Sequence, residues 1–272
     1  MSKVSCLICA GSGEKCLNAT VLNKYDAEYY ICGNCGYLWI DRPGWLEEAY
    51  SSAIASTDTG LVSRNVDIAA KLASILFWGL GERGESKFLD SSGGYGLLVR
   101  LMRDYGYDFY WQDKYCKNIF AEGFEYAQNM GRCRVVTAFE VLEHLEDPLG
   151  YIDSAMKQVD ADTFIFTTEL FSGPPPGIDD WWYYSLATGQ HIGFFQERTL
   201  KKIASILGLR FFTSNGIHAF SRELKSQVAF RFMVGRFCKL ISPLVSKRLI
   251  GSKTVVDSQV MIERAKSASK HI

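Results

Sequence analysis

The sequence predicts an α/β fold, with an open and mainly parallel sheet covered by helices on both faces and a small cysteine-bound module ahead of it. Three observations predict it. From residue 86 to 215, segments with strand character alternate with segments of helical periodicity. The first of these strands ends at Asp90 and breaks on Gly93, Gly94 and Gly96 before an amphipathic helix. Upstream, Cys6-x-x-Cys9 and Cys32-x-x-Cys35 form two paired knuckles with 22 residues between them.

The 272 residues are 47% hydrophobic, enough for one sizeable core and a small appended module. Basic and acidic residues number 30 each, so no global charge points to a nucleic-acid or membrane polyanion. Met1-Ser2-Lys3 leads into Cys6 with no apolar run, and no stretch has the uncharged length of a membrane span, so the chain reads as cytoplasmic. Eight cysteines in that setting read as thiols or metal ligands, not a disulfide framework.

Each element follows in order. Over 1–45, a two-residue gap lets both thiolates of a knuckle reach one tetrahedral ion, and the second knuckle completes the set. Cys6, Cys9, Cys32 and Cys35 are therefore expected to hold a structural zinc, with Cys16 the one substitute ligand. Four thiolates leave no open position, so this ion serves the fold. Residues 46–80 read as a linker and a helix, with apolar positions recurring from about 61 to 78. From 81 to 272 the pattern predicts strands at 86–90, 108–113, 134–140, 163–169, 210–215 and 258–263, and helices at 97–105, 148–159 and 197–207. Between 221 and 256, eight Lys/Arg stand against one acid among Phe, Val, Leu and Ile. This suits a basic helical insertion capping the sheet before the last strand; contact with a membrane surface or a glycan-assembly enzyme is its second reading.

In an open parallel sheet, ligands bind beyond the carboxyl ends of the strands, where the Asp90 loop lies. Asp113 ends the second strand 23 residues after Asp90, and a carboxylate there can accept hydrogen bonds from both ribose hydroxyls. That much indicates adenosine. The spacing Asp90-x-x-Gly93-Gly94-x-Gly96 is not the three-glycine pattern of a dinucleotide loop. It resembles the D-x-G-x-G-x-G motif of class I S-adenosylmethionine-dependent methyltransferases, with Ser92 at the first glycine. "VVTAFEVLEHLEDPLGYI" (135–152) and "GQHIGFFQERTLKKIASILGLRF" (189–211) resemble that superfamily's fourth-strand and post-fifth-strand segments.

The resemblance implies a Rossmann-like, seven-stranded sheet and S-adenosylmethionine as cofactor. Asp90, Ser91 and the Gly93-Gly94-Tyr95-Gly96 loop are expected to hold its methionine portion, and Asp113 its ribose. Phe124-Glu125 is the candidate for the adenine edge and face, and Phe139 with Glu140 for the floor beneath the sulfonium. A zinc head before such a domain resembles bacterial sugar and glycan methyltransferases, including sugar C-methyltransferases. In those, a Glu/Gln-His pair after strand five sits near the sugar, the position of Gln190-His191.

Removing a proton from an alcohol, or from a carbon beside a ketone, suits an imidazole. His191 is the first choice of base and His144, beside Glu143, the second. Trp181, Trp182 and Tyr183 offer faces on which a sugar packs, or form a packed lid. The acceptor is thus expected to be a sugar hydroxyl or carbon of a nucleotide sugar or surface glycan. Two alternatives remain: an RNA methyltransferase, disfavoured by the neutral charge, and a catalytically silent scaffold, for which Ser92 is the one supporting feature.

Overall fold

The structure, a computed structural model, describes residues 4–50, 58–236, 238 and 249–268. Its contacts divide the chain into two compact units, one of 1–57, 138–158 and 162–222, the other of 58–137, 159–161 and 223–272.

The second unit carries the parallel strands β5 (Lys87–Ser91), β6 (Asp108–Gln112) and β7 (Val135–Ala138), with β5 between the other two. Phe88, Leu89, Phe109, Val135 and Val136 are buried, as near-continuous apolar strands covered on both faces must be. Helix α2 (Leu61–Ser74) packs on α3 (Leu97–Asp104). The buried residues of α3, Leu98, Val99, Met102 and Arg103, follow helical spacing.

Arg103 fixes the last helix. Its guanidinium makes two 2.8 Å bonds to Asp257, donates to Asp108 Oδ1 at 2.7 Å and lies 3.8 Å over the Phe124 ring. Residues 258–263, read from sequence as a final strand, belong to a helix, Thr254–Ala268 (called α7 below). Asp257 and Arg264 sit about two turns apart on it, the first held by Arg103 and the second donating to the Gly123 carbonyl at 2.7 Å. A helical register satisfies both anchors, and alternation of apolar residues alone does not reveal them.

The first unit has two sheets. β1 (Val4–Ser5), β2 (Ser12–Val21), β3 (Tyr25–Cys32) and β4 (Leu38–Ile40) run antiparallel, and β9 (Gly193–Phe194) adds to β4 through Leu38 and Trp39. The cysteine module is therefore continuous with chain from far downstream. They share one core, in which Tyr29, Leu38, Tyr184 and Phe194 are almost wholly enclosed. The second sheet has β8 (Thr163–Thr167), β11 (Ile217–Ser221) and β10 (Arg210–Ser214), with β11 antiparallel to both neighbours.

The described residues thus supply six strands to the α/β portion, three in each unit, where the resemblance implied seven. β11 went unread in the sequence, although Asn215-Gly216 is a strong hairpin signal. Both residues have positive φ, +48° and +74°, as a tight primed turn requires. With no strand after 221 among the described residues, the helical insertion has no last strand there to precede. Within 221–256, α6 (Gln227–Met233) is helical, while 237 and 239–248 lie outside the described residues. The remaining helices are α1 (Leu46–Ala49), α4 (Pro148–Gln158) and α5 (Glu197–Ile206). No helix among the described residues is long and apolar enough to cross a membrane.

Candidate cofactor loop, thiolate cage and histidine cluster

The glycine loop of the second unit is built by backbone geometry. Ser92, Gly94 and Gly96 all have positive φ, +64°, +54° and +85°. These are the three glycine positions of the D-x-G-x-G-x-G motif, so Ser92 adopts a left-handed conformation that costs a side-chain-bearing residue about 1–2 kcal/mol. Gly93 is required for a different reason. A Cβ there would lie 2.9 Å from Asp90 Oδ2 and 2.9 Å from Trp111 Cδ1. Trp111 Nε1 donates to the Gly94 carbonyl at 2.8 Å, and the Gly94 N–H donates to Asp113 Oδ2 at 3.0 Å. A Cβ on Gly94 would meet nothing within 4 Å, so the loop opens there.

Asp90 is buried and accepts from Thr137 Oγ1 at 2.6 Å. Burial pushes its carboxyl up to about 7, the Thr137 bond opposing and the Asp113 charge reinforcing the rise. Asp113 is more occupied than its sequence role suggests. Oδ1 accepts from the Tyr115 and Cys116 N–H groups, each at 2.7 Å, in addition to the Gly94 bond on Oδ2. A carboxylate has about four acceptor sites, so one remains, on Oδ2, with room for a single further donor. Ser91 is buried and Tyr95 half exposed, its carbonyl accepting from Ile119 and Phe120 at 3.0 Å each. Phe124 is buried with Arg103 against one face.

The remaining singled-out residues lie in the first unit. Glu140 has φ +56°, donates its N–H to Thr167 Oγ1 at 2.8 Å and accepts that hydroxyl's proton on Oε1 at 2.6 Å. Its neighbour Phe139 is half-buried. Trp181 and Tyr183 pack against the core shared with the cysteine module. Trp182 is 78% exposed, an open aromatic face. Gln190 is buried and donates to the Ala49 carbonyl at 2.9 Å.

His144 and His191 are neighbours, ring centroids 4.7 Å apart and planes nearly perpendicular. His144 Nδ1 is 3.1 Å from the Gln190 carbonyl and His191 Nδ1 is 2.7 Å from the Tyr183 carbonyl. Carbonyls only accept, so each Nδ1 carries a hydrogen, which leaves Nε2 as the nitrogen that can carry a lone pair. Desolvation, with the neighbouring His191 ring, pulls His144 well below the ordinary imidazole value. Glu143 completes the group. It is fully buried, and neither carboxylate oxygen reaches hydrogen-bond geometry with any partner. Burial raises its carboxyl; His191, Tyr183 and Thr168 lie near enough to oppose the shift without satisfying the oxygens. In the sequence Glu143 stands only as the neighbour of His144, and nothing there marks its burial.

The four cysteines converge. Cys6 and Cys35 Sγ are 3.6 Å apart, Cys9 and Cys32 Sγ 3.5 Å, and all four lie within 4.8 Å of one another. Four thiolates about 2.3 Å from a tetrahedral ion sit about 3.8 Å apart, so the set fits zinc with little adjustment. Cys16 is outside this group, its thiol donating to the Tyr29 carbonyl at 3.3 Å. The second knuckle is tied to α5, where Thr199 Oγ1 donates to the Cys35 carbonyl at 2.8 Å and Arg198 to the Gly33 carbonyl at 3.2 Å.

Comparison with known proteins identifies one family: that of the methyltransferase domain matches residues 63–213. No curated protein matches the chain. Among solved structures, TnmH is 16% identical, covers 68% of this chain with 62% of its own length, and has a TM-score of 0.44. An O-methyltransferase family protein from Burkholderia thailandensis is 13% identical over 67% of this chain and 68% of its own, TM-score 0.44. Magnesium protoporphyrin IX methyltransferase from Synechocystis PCC 6803, with bound SAH, is 14% identical over 66% of this chain and 93% of its own, TM-score 0.41. The chain thus spans less than two thirds of the length of TnmH.

Proposed function

The chain belongs to the methyltransferase-domain family, and on that premise we propose that it transfers a methyl group from S-adenosylmethionine to a sugar hydroxyl or carbon of a nucleotide sugar or bacterial surface glycan. Bound in the second unit, the cofactor supplies a methyl group on a sulfonium, a carbon already activated for displacement.

The protein's own residues do the rest. The Gly94 backbone gives the ligand room, Gly93 lets Asp90 and Trp111 pack against the loop, and Asp90 with the Gly94–Gly96 turn takes the methionine portion. Asp113 accepts one ribose hydroxyl through its remaining Oδ2 lone pair. The four cysteines hold a structural zinc that fixes the N-terminal sheet and, through the shared core, the Trp181–Tyr184 segment.

The observation that carries the acceptor reading is the Glu143–His144–His191 cluster beside that aromatic segment, with Tyr183 and His191 rings 4.6 Å apart. Two imidazoles with Nδ1 fixed by carbonyls present Nε2 as the atom that can receive an acceptor's proton. The exposed Trp182 face suits the C–H surface of a sugar ring. The test is transfer of labelled methyl from S-adenosylmethionine to a panel of nucleotide sugars and lipid-linked glycans. Label in a sugar, lost in His191→Ala while S-adenosylhomocysteine binding persists, is the expected result. Label appearing only in RNA, or no binding of S-adenosylhomocysteine, refutes the reading.

A further inference from the structure

The buried Glu143 raises a question that proton transfer leaves open. A carboxylate wholly removed from solvent, with neither oxygen bonded, is among the costliest arrangements a protein keeps. Two imidazoles stand beside it, and one ligand atom from each of Glu143, His144 and His191 lies within 4.8 Å of the others. Both rings have Nδ1–H committed to backbone carbonyls. Metal-binding histidines are usually held in this way, one ring nitrogen anchored by a hydrogen bond and the other free to ligate. The 3₁₀ turn Leu142–His144 carries two of the three side chains, and the Ile192 N–H donates to the Glu143 carbonyl at 2.8 Å, pinning the segment of the third.

We propose that Glu143, His144 and His191 form a second metal site, for a first-row divalent ion such as Mn2+ or Zn2+. Two imidazoles and one carboxylate suit such an ion. Three ligands about 2.1 Å from an ion stand about 3.5 Å apart, so side-chain rotations of about an ångström close the set. The ion compensates the Glu143 charge directly, where His191, Tyr183 and Thr168 only oppose the cost of its burial. Three protein ligands leave a coordination position for an outside ligand, unlike the four thiolates of the cysteine cage. In the loaded protein the imidazoles serve as ligands in place of proton acceptors. The identity of that outside ligand as the acceptor oxygen rests on the proposed function; the existence of the site does not.

The experiment uses the full chain with its cysteine site already filled by zinc. Mn2+ is titrated in and followed by calorimetry and by electron paramagnetic resonance. Wild type is expected to take up one Mn2+ per chain, with nitrogen couplings from two imidazoles in the pulsed spectrum. Glu143→Gln and His191→Gln should bind at least about tenfold more weakly, since even outer-shell losses cost 10–100-fold, and should lose couplings accordingly. S-adenosylhomocysteine titrated into each variant reports that it is folded. Wild type that takes up neither Mn2+ nor zinc beyond the cysteine site overturns the proposal, as do variants that bind Mn2+ like wild type. Loss of S-adenosylhomocysteine binding by wild type would instead strike at the cofactor reading and leave the metal result standing.

Discussion

Replacing Gly94 and Gly96 by alanine, one at a time, should separate ligand space from structural space in the glycine loop. Both have positive φ, so each alanine incurs about 1–2 kcal/mol of backbone strain, offset by about 0.4–1 kcal/mol from a stiffer unfolded chain. At Gly94 that is the whole effect, because the new methyl meets no atom within 4 Å. Gly94→Ala should thus lose about 1 kcal/mol or less in urea unfolding. Gly96→Ala differs, since its methyl would lie 2.4 Å from Asn118 Oδ1. Asn118 is buried and holds Ala121 at 2.7 and 3.0 Å and Glu125 at 2.8 Å. Displacing it adds about 1–3 kcal/mol, for a total of about 2–4 kcal/mol. Calorimetric titration of S-adenosylhomocysteine gives the second axis. Gly94→Ala should bind at least about tenfold more weakly, about 1.4 kcal/mol, because its methyl fills the space assigned to the ligand. Wild-type affinity in Gly94→Ala would refute that assignment, and a Gly96→Ala loss under about 1 kcal/mol would refute the rigidity ascribed to Asn118.

Asp90 makes stability depend on pH. Its folded pKa of about 7 lies above the unfolded value of about 4, so its contribution is full below pH 4 and lost as pH rises toward 7. Urea midpoints should fall across that window in wild type and less in Asp90→Asn. Ser92→Gly removes left-handed strain and should raise the melting free energy by up to about 1 kcal/mol, read by thermal unfolding. Asp257→Ala strips a buried, doubly bonded partner from Arg103 and should cost about 3 kcal/mol in urea unfolding, at the low end for such pairs because Asp108 remains. Zinc removal by a chelator, followed by metal analysis, should destabilise the first unit and abolish methyl transfer. S-adenosylhomocysteine binding, which uses residues of the second unit, should survive.

Much of this molecule is written locally. The strands around Asp90 and Asp113 and the helices at 97–104, 148–158 and 197–206 declare themselves by period, and the strained turn shows its glycines. The knuckles are equally plain, because a two-residue gap has few other uses. What escaped was set by distant partners. α7 is helical because Asp257 answers Arg103, 154 residues away. Glu143 matters because it is buried and unbonded, and burial has no local signature. The hairpin at Asn215-Gly216 is legible locally, but the change of composition after Phe220 is the more conspicuous boundary in the sequence.

The pairing of β4 with β9 has a consequence for biogenesis. Leu38 finds its strand partner in Phe194, so the N-terminal sheet cannot be completed until the ribosome has delivered most of the chain. The four cysteines, by contrast, are all made within the first 35 residues. Ion capture can therefore precede closure of the core by many seconds of synthesis. During that interval the apolar side of the hairpin waits uncovered. A cell short of zinc, or a fragment cut before residue 193, would leave it exposed as an aggregation-prone edge and not as a stable small domain.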